Sequence, residues 1–196
     1  MIATQNKDKF KEFGSILSDI SFEVIFPFKH KIIIPENLEN LESGNTFREN
    51  AIAKAKAWGE LNNLLTLADD SGLCVDYLKR KPGVKSHRFI NGSDEDRYQK
   101  LLNMMERVPE QKRSATFVSI IAIFDPITKV IKTTKGECKG RIAYEPKGKW
   151  GFGYDPIFII DSLGKHFAQL TPEEKNQVSH RAVALKKMKK ILLSFS

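Results

Sequence analysis

The sequence predicts an α/β or α+β fold built on a mixed sheet, and three observations carry that expectation. Segments with helical period and segments with strand period alternate along the chain instead of grouping at one end. Thr46, Ser93 and Thr171 each stand where a helix should begin, as hydroxyl side chains that can accept from the first turn. The chain has 196 residues, 41% of them hydrophobic, and no repeat, low-complexity tract or linker, so one domain over residues 1–196 is expected.

Taken in order, Met1–Thr4 reads as a very short strand, followed by a helix from Asn6 to Leu17 with Phe10, Phe13 and Leu17 on its apolar face. Phe22–Phe28 and Lys31–Ile34, rich in Ile, Phe and Val, read as strands. Thr46-Phe47-Arg48-Glu49 is a capping box. The helix it opens sets Phe47, Ala51, Ala55 and Trp58 on one face, with Asn50 and Lys54 one turn apart on the adjacent face. Leu64–Ala68 is a short apolar strand expected to stop at Asp69-Asp70-Ser71-Gly72, and Pro82-Gly83 marks a turn. Ser93 caps a helix running to Arg107, with Tyr98, Leu101, Leu102 and Met105 facing inward. Ala115–Phe124 and Lys129–Gly136 flank Asp125-Pro126 as a β-hairpin, and Ile157–Ile160 is a further strand. Thr171-Pro172-Glu173-Glu174 is a second capping box with Pro at the first helical position, and Leu185, Met188 and Leu192 stripe the closing helix.

Composition narrows the setting without deciding it. No apolar run approaches the roughly 20 residues of a membrane span, and the first residues lack the apolar core of a signal peptide, so a cytoplasmic protein with no membrane partner is expected. Cys74 and Cys138 have no second Cys or His at ligand spacing and read as free thiols. The net charge of +8 attracts polyanions of any kind. Part of it, at Lys186, Lys187, Lys189 and Lys190, reads equally as a solvated helix face suited to the helix dipole.

Four stretches depart from ordinary pattern. In Asp69-Asp70-Ser71-Gly72 two carboxylates follow an apolar strand, an arrangement that suits either Mg2+ or a plain polar turn capped by Asp69. Gly148–Pro156 sets Gly148, Gly151 and Gly153 around Trp150, Phe152, Tyr154 and Asp155. Glycine admits close backbone approach, an aromatic face stacks on a base, and a carboxylate accepts from a nucleoside. A tight turn with core aromatics would look similar, and the spacing rules out a dinucleotide fingerprint. Lys175, His180 and Arg181 lie near helix beginnings and can donate to phosphate or to a purine carbonyl, although a lone His-Arg pair is commonly surface. Thr4-Gln5-Asn6-Lys7-Asp8-Lys9, between the first strand and the first helix, has the make-up of a phosphate cradle of backbone amides and ammonium groups without being a Walker A loop.

Together and in this order, these stretches resemble the inosine triphosphate pyrophosphatase family, also called the Ham1 or RdgB family. The resemblance runs through Ala3–Lys9, Gly44–Ala51, Ala68–Leu73, Pro82–Phe89, Gly151–Phe158, and Glu174-Lys175-Asn176 with Ser179-His180-Arg181. It implies an elongated mixed sheet flanked by helices, with two lobes around a central nucleotide-binding cleft, in a homodimer. It implies hydrolysis of non-canonical purine nucleoside triphosphates (ITP, dITP, XTP) to the monophosphate and pyrophosphate, with Mg2+ as cofactor. Thr4, Gln5, Asn6, Lys7, Asp8 and Lys9 would bind the triphosphate, and Asp70 would be the general base and, with Glu42, the metal-associated acid. Ser71 would lie beside the ligand. Phe152 with Gly153 and Tyr154 would hold the purine, Asp155 would contact the nucleoside, and Lys175, His180 and Arg181 would close over the base and read its 6-oxo group. Water would attack the α-phosphorus, with lysines and metal neutralising the leaving group.

The chain departs from the family pattern where an acidic pair usually precedes the Gly-x-Thr-Phe stretch. Leu41-Glu42 stands there, so Glu42 alone, or Glu39 shifted in, would hold magnesium. His87 and Gln169 replace a small residue and an acid, and the first strand is short. Two other readings stay open at this point. One is a basic nucleic-acid-binding protein without catalysis, opposed by the Asp69-Asp70 pair and by the lack of a nucleic-acid module, so that no stable nucleic-acid partner is expected. The other is a pyrophosphatase for another modified nucleotide.

Overall fold

The computed structural model describes residues 1–27 and 30–195, the side chain of Glu39 excepted. Its main elements are α1 (Lys7–Ile16), α2 (Phe47–Asn62), β1 (Thr66–Val75), α3 (Asp94–Met104), β2 (Ser114–Phe124), β3 (Ile131–Ile142), β4 (Phe158–Ile160), α4 (Pro172–Val178) and α5 (His180–Leu192). The strands pair in the order β1-β2-β3-β4, with β3 and β4 antiparallel through Gly140↔Ile160, Arg141↔Ile159 and Ile142↔Phe158. Parallel pairing enters at the Ile2–Leu67 bridge, where the Ala3 amide donates to Leu67 O and the Leu67 amide to Met1 O, both at 2.8 Å. Helices and strands thus interleave as the pattern requires. Among the described residues no helix is long and apolar enough to cross a membrane.

The chain forms two compact units, one of Met1–Asp70, Ser119–Gly136 and Arg181–Ser196, the other of Ser71–Val118 and Glu137–His180. The first unit has two apolar clusters. α1, the Leu17 that follows it and α5 supply Phe13, Leu17, Leu185, Met188 and Leu192 against Ile2, Leu67, Ile121 and Ile123, while α2 supplies Ala51, Ala55 and Trp58 against Ala68, Ala122 and Phe124. The second unit packs Leu101 and Leu102 of α3, with Met105 just past its end, against Leu73, Val75, Phe117, Phe158 and Phe167.

All three expected helix starts form as capped termini. Thr46 Oγ1 accepts from the Glu49 amide at 3.1 Å while Glu49 Oε2 accepts from the Thr46 amide at 3.1 Å, and Ser93/Asp96 and Thr171/Glu174 repeat the pattern. Because α2 carries Asn50 and Lys54, its start matters to the site below. Thr46→Ala is expected to cost about 1 kcal/mol, seen as a lower urea midpoint with an unchanged slope; a midpoint equal to that of wild type would show the cap to be idle.

Three expectations need correction. Residues 22–27 and 31–34 are not strands; Phe28, where the first was expected to end, lies outside the described residues. Their polar backbone finds other partners: Ile25 O accepts the Ile2 amide at 2.9 Å, and the Asn62 side-chain amide takes both the N–H and the C=O of Ile33, at 2.8 and 2.9 Å. β1 does not stop at Ala68. It continues through Asp69 and Asp70 to Val75 and is buried nearly throughout. The acids are therefore interior to a strand instead of ending one, which is tolerable only because each is neutralised where it stands. The second hairpin strand is likewise longer than expected and reaches Ile142.

Candidate active site

The site residues fall into two sets, one in each unit. In the first unit, the strand alternation of β1 sends Asp69 and Asp70 to opposite faces and into different surroundings. Asp69 Oδ2 pairs with Lys9 Nζ at 2.7 Å and with Arg181 Nη2 at 3.3 Å, and its Oδ1 accepts from Ser119 Oγ at 2.6 Å. Arg181 also pairs with Glu12 of α1. Asp70 Oδ2 accepts from Asn50 Nδ2 at 3.0 Å, and its Oδ1 lies 3.2 Å from Lys54 Nζ. That ammonium also pairs with Glu42 Oε1 at 2.8 Å and donates to Asp69 O at 2.7 Å. Asn50 in turn accepts from the Gly44 amide at 2.8 Å, and any Cβ at Gly44 would come within 2.6 Å of that amide oxygen, which is why glycine stands there.

The two acids titrate in opposite directions. Burial alone would raise Asp69, but Arg181 and Lys9 outweigh it and hold the carboxyl well below its ordinary value. Burial is also the largest influence on Asp70 and there it wins: Lys54, Lys9 and the Asn50 hydrogen bond oppose it, Glu42 adds to it, and the carboxyl is raised. Burial would lower Lys54, yet Asp70 and Glu42 raise it above its ordinary value. One acid is thus held as an anion, while its neighbour binds a proton more readily than an ordinary carboxylate.

Glu42 and Asp70 already converge on one cation, the Lys54 ammonium. Two hard carboxylate donors suit Mg2+, which takes one or two carboxylates and completes its shell with water and substrate phosphate. Among the described residues no group of three or more His, Cys, Asp or Glu forms a fuller cage, and the Glu39 side chain lies outside them.

The Thr4–Lys9 turn differs in detail from a cradle of open amides. Asn6 Oδ1 accepts from the Asp8 and Lys9 amides at 2.9 and 3.0 Å and so caps α1, and Thr4 Oγ1 accepts from the Asn6 amide at 3.1 Å, so these amides already have partners. Gln5 and Lys7 are exposed and Asp8 is half-buried. Of the turn's cations, Lys9 is the one paired with Asp69.

The second unit gathers Phe152, Gly153, Tyr154, Asp155, Lys175 and His180; Ser71 lies half-buried on β1. Lys175 Nζ is 2.6 Å from Asp155 Oδ2, with both side chains almost wholly buried, and stands 4.7 Å from the centre of the Phe152 ring. Asp155 Oδ2 also accepts the Phe152 amide at 2.8 Å. His180 is stacked on Phe117, with ring centres 4.7 Å apart and planes within 9°. Tyr154 is buried with its hydroxyl donating to Ser86 O at 2.9 Å, and burial raises its phenol above the ordinary value.

The family model for the Ham1 family matches residues 1–191. The chain belongs to the Ham1 family. Among its Ham1 relatives, a dITP/XTP pyrophosphatase of Symbiobacterium thermophilum is 44% identical over 185 residues, covering 94% of this chain and 90% of that protein. One of Bacillus subtilis is 42% identical over 194 residues, covering 98% and 96%. The solved structure of a HAM1 protein from Coxiella burnetii superposes with a TM-score of 0.86 at 38% identity, covering 98% of this chain and 97% of that one.

Set against the Ham1 pattern, the structure brings Lys9, Glu42, Asp70 and Arg181 into one unit and Phe152, Asp155, Lys175 and His180 into the other. Arg181, read from sequence as a reader of the base, has its guanidinium buried against Asp69 and Glu12, because a buried guanidinium needs carboxylates beside it. Sequence reading did not place Glu12, Asn50, Lys54 or Ser119 at a site. Two of them left a signal: Asn50 and Lys54 are polar residues one turn apart on a helix that buries its neighbours. Ser119 left a fainter one, as a hydroxyl inside an apolar strand.

Proposed function

We propose that this chain, as one catalytic domain over residues 1–196, hydrolyses dITP, ITP and XTP to the monophosphate and pyrophosphate and so clears non-canonical purine nucleotides. The observation that carries the reading is the pair of adjacent buried carboxylates, Asp69 held by Lys9 and Arg181 and Asp70 held by Lys54 and Asn50. Family membership and the two named pyrophosphatases support it. Asp70, a carboxylate fixed by Asn50 and Lys54, accepts the proton of the attacking water. Asp69 does not titrate in the working range and serves to hold Lys9 and Arg181. Lys9 and Lys54 present positive charge to the triphosphate, together with the Thr4–Lys9 turn. Glu42 and Asp70 would hold Mg2+, which when bound neutralises charge on the leaving pyrophosphate.

Phe152 stacks on the purine, flanked by Gly153 and Tyr154, with Ser71 beside the ligand. Asp155, fixed by Lys175, accepts from the nucleoside. Lys175 and His180 supply donors for a 6-oxo group, and Arg181, next in sequence to His180, is held ready by its two carboxylates. Adenine presents an amino group where a carbonyl is required, and the unpaired buried donors disfavour it. By the same family likeness, the working form is a cytoplasmic homodimer. Ion chromatography of the products from a panel of dITP, XTP, dATP, dGTP and modified pyrimidine triphosphates tests the reading. Monophosphate and pyrophosphate from dITP and XTP well ahead of the rest is the expected result. Orthophosphate as an initial product, or a pyrimidine as best substrate, would overturn it.

A further inference from the structure

The loop that carries Phe152 has a backbone with little rigidity of its own. Gly151 and Gly153 on either side of the ring have φ of +80° and +63°, a region in which glycine is at home. What fixes it is a set of ties, one to each of three successive residues. The Phe152 amide goes to Asp155, the Tyr154 hydroxyl goes to Ser86 O, and the Gly153 amide donates to Asp94 Oδ2 at 2.7 Å. The last of these reaches 59 residues along the chain, to the first residue of α3.

Asp94 is not needed to cap that helix. Ser93 and Asp96 already form its capping box. Asp94 is instead oriented for the loop: its Oδ1 pairs with Arg97 Nη2 at 2.9 Å, and Arg97 Nη1 donates to Gly92 O at 2.6 Å, so the carboxylate is held from behind while its other oxygen faces the Gly153 amide. A hydrogen bond from an amide to an ionised carboxylate is among the stronger kinds.

We propose that Asp94, braced by Arg97, is a positioning residue that sets the Phe152 loop for base binding. The proposal rests on reading Phe152 as the ring that stacks on the base. Because the loop holds the base and not the reacting phosphorus, the effect belongs in KM. Asp94→Ala is expected to raise KM for dITP about 3- to 20-fold, the range for one charge-assisted bond with a half-exposed acceptor, with kcat changed less than about twofold. Asp94→Asn keeps an acceptor oxygen and is expected to stay within about threefold of the wild-type KM.

Hydrogen exchange read by mass spectrometry supplies an arm that needs no catalysis. Peptides covering residues 150–155 are expected to exchange faster in Asp94→Ala, while the amides of α3 keep their protection. The proposal is overturned if exchange in residues 150–155 is unchanged, if it rises without any rise in KM, or if α3 loses protection together with the loop and kcat falls in step. Wild-type protein that does not hydrolyse dITP would refute the functional reading, and the exchange arm would then still decide whether Asp94 holds the loop.

Discussion

Asp70→Asn is expected to lower kcat on dITP by about 10²- to 10⁴-fold, the contribution of a positioned general base, in a protein that remains folded. The substitution keeps the side chain's size and shape. It also leaves an oxygen for Asn50 Nδ2, which donates to Asp70 at 3.0 Å. Lys54 loses one of its carboxylates but retains Glu42 at 2.8 Å and Asp69 O at 2.7 Å, so its ammonium is not stranded. The lost charge therefore acts on the reaction more than on the fold. Raising Mg2+ is expected to restore little, since the proton acceptor is still missing. Thermal melts and steady-state rates on the same preparation check both halves. A folded variant that keeps more than about a tenth of wild-type kcat would falsify the assignment, because even the smallest general-base contribution is about 100-fold.

Local chemistry was legible in the sequence and distant chemistry was not. The capping boxes at Thr46 and Thr171 could be read because donor, acceptor and apolar stripe all lie within one helical turn. The helix over residues 7–16 and the hairpin strands likewise follow from short-range period. β1 was cut short because two adjacent acids inside a buried strand violate every local rule. What makes them acceptable comes from positions 9, 54, 119 and 181, which only the folded chain brings near. The same distance hid Glu12, which on α1 is an ordinary charged residue until Arg181 arrives beside it. Ile33 fails in the opposite sense: its strand-like composition is real, but its backbone partners are the amide of one side chain, Asn62, and no ladder forms. Family likeness pointed to Asp70, Phe152, Asp155 and Lys175 as candidates by motif. It could not show that the Arg181 guanidinium is turned toward carboxylates.

That orientation makes Asp69 the site of the largest stability loss expected in the first unit. Alternation along β1 turns Asp69 away from Asp70, so Asp69→Asn is expected to be milder for turnover, but its surroundings make it costly to the fold. Asp69 is 4% exposed and Arg181 2%, and Asp69 also anchors Lys9 and accepts from Ser119. Removing one partner from a buried ion pair leaves the other charge uncompensated, at a cost of about 3–5 kcal/mol. Glu12 still faces Arg181, which places the expectation near the lower end, about 3 kcal/mol.

The pH dependence gives the sign. The folded-state affinity of Asp69 for protons is depressed below its unfolded value, so its stabilising contribution is present above the unfolded pKa of about 4 and is lost as pH falls through the lower folded value. Urea titrations should therefore find wild type and Asp69→Asn separated by a constant gap from pH 7 to about 5, with the gap closing as pH drops below about 4. Replacing Arg181 as well, in Asp69→Asn with Arg181→Met, removes the stranded cation and leaves Lys9 and Glu12 as the remaining opposite charges. The double variant is expected to lose at least about 1 kcal/mol less than the sum of the losses in Asp69→Asn and Arg181→Met, a coupling of the size that residues in one ion-pair network show. A gap under about 1 kcal/mol at pH 7, or losses at the two positions that simply add, would mean that Asp69 and Arg181 do not stabilise each other in the folded chain. Arg181 would then be available to a ligand without first giving up Asp69.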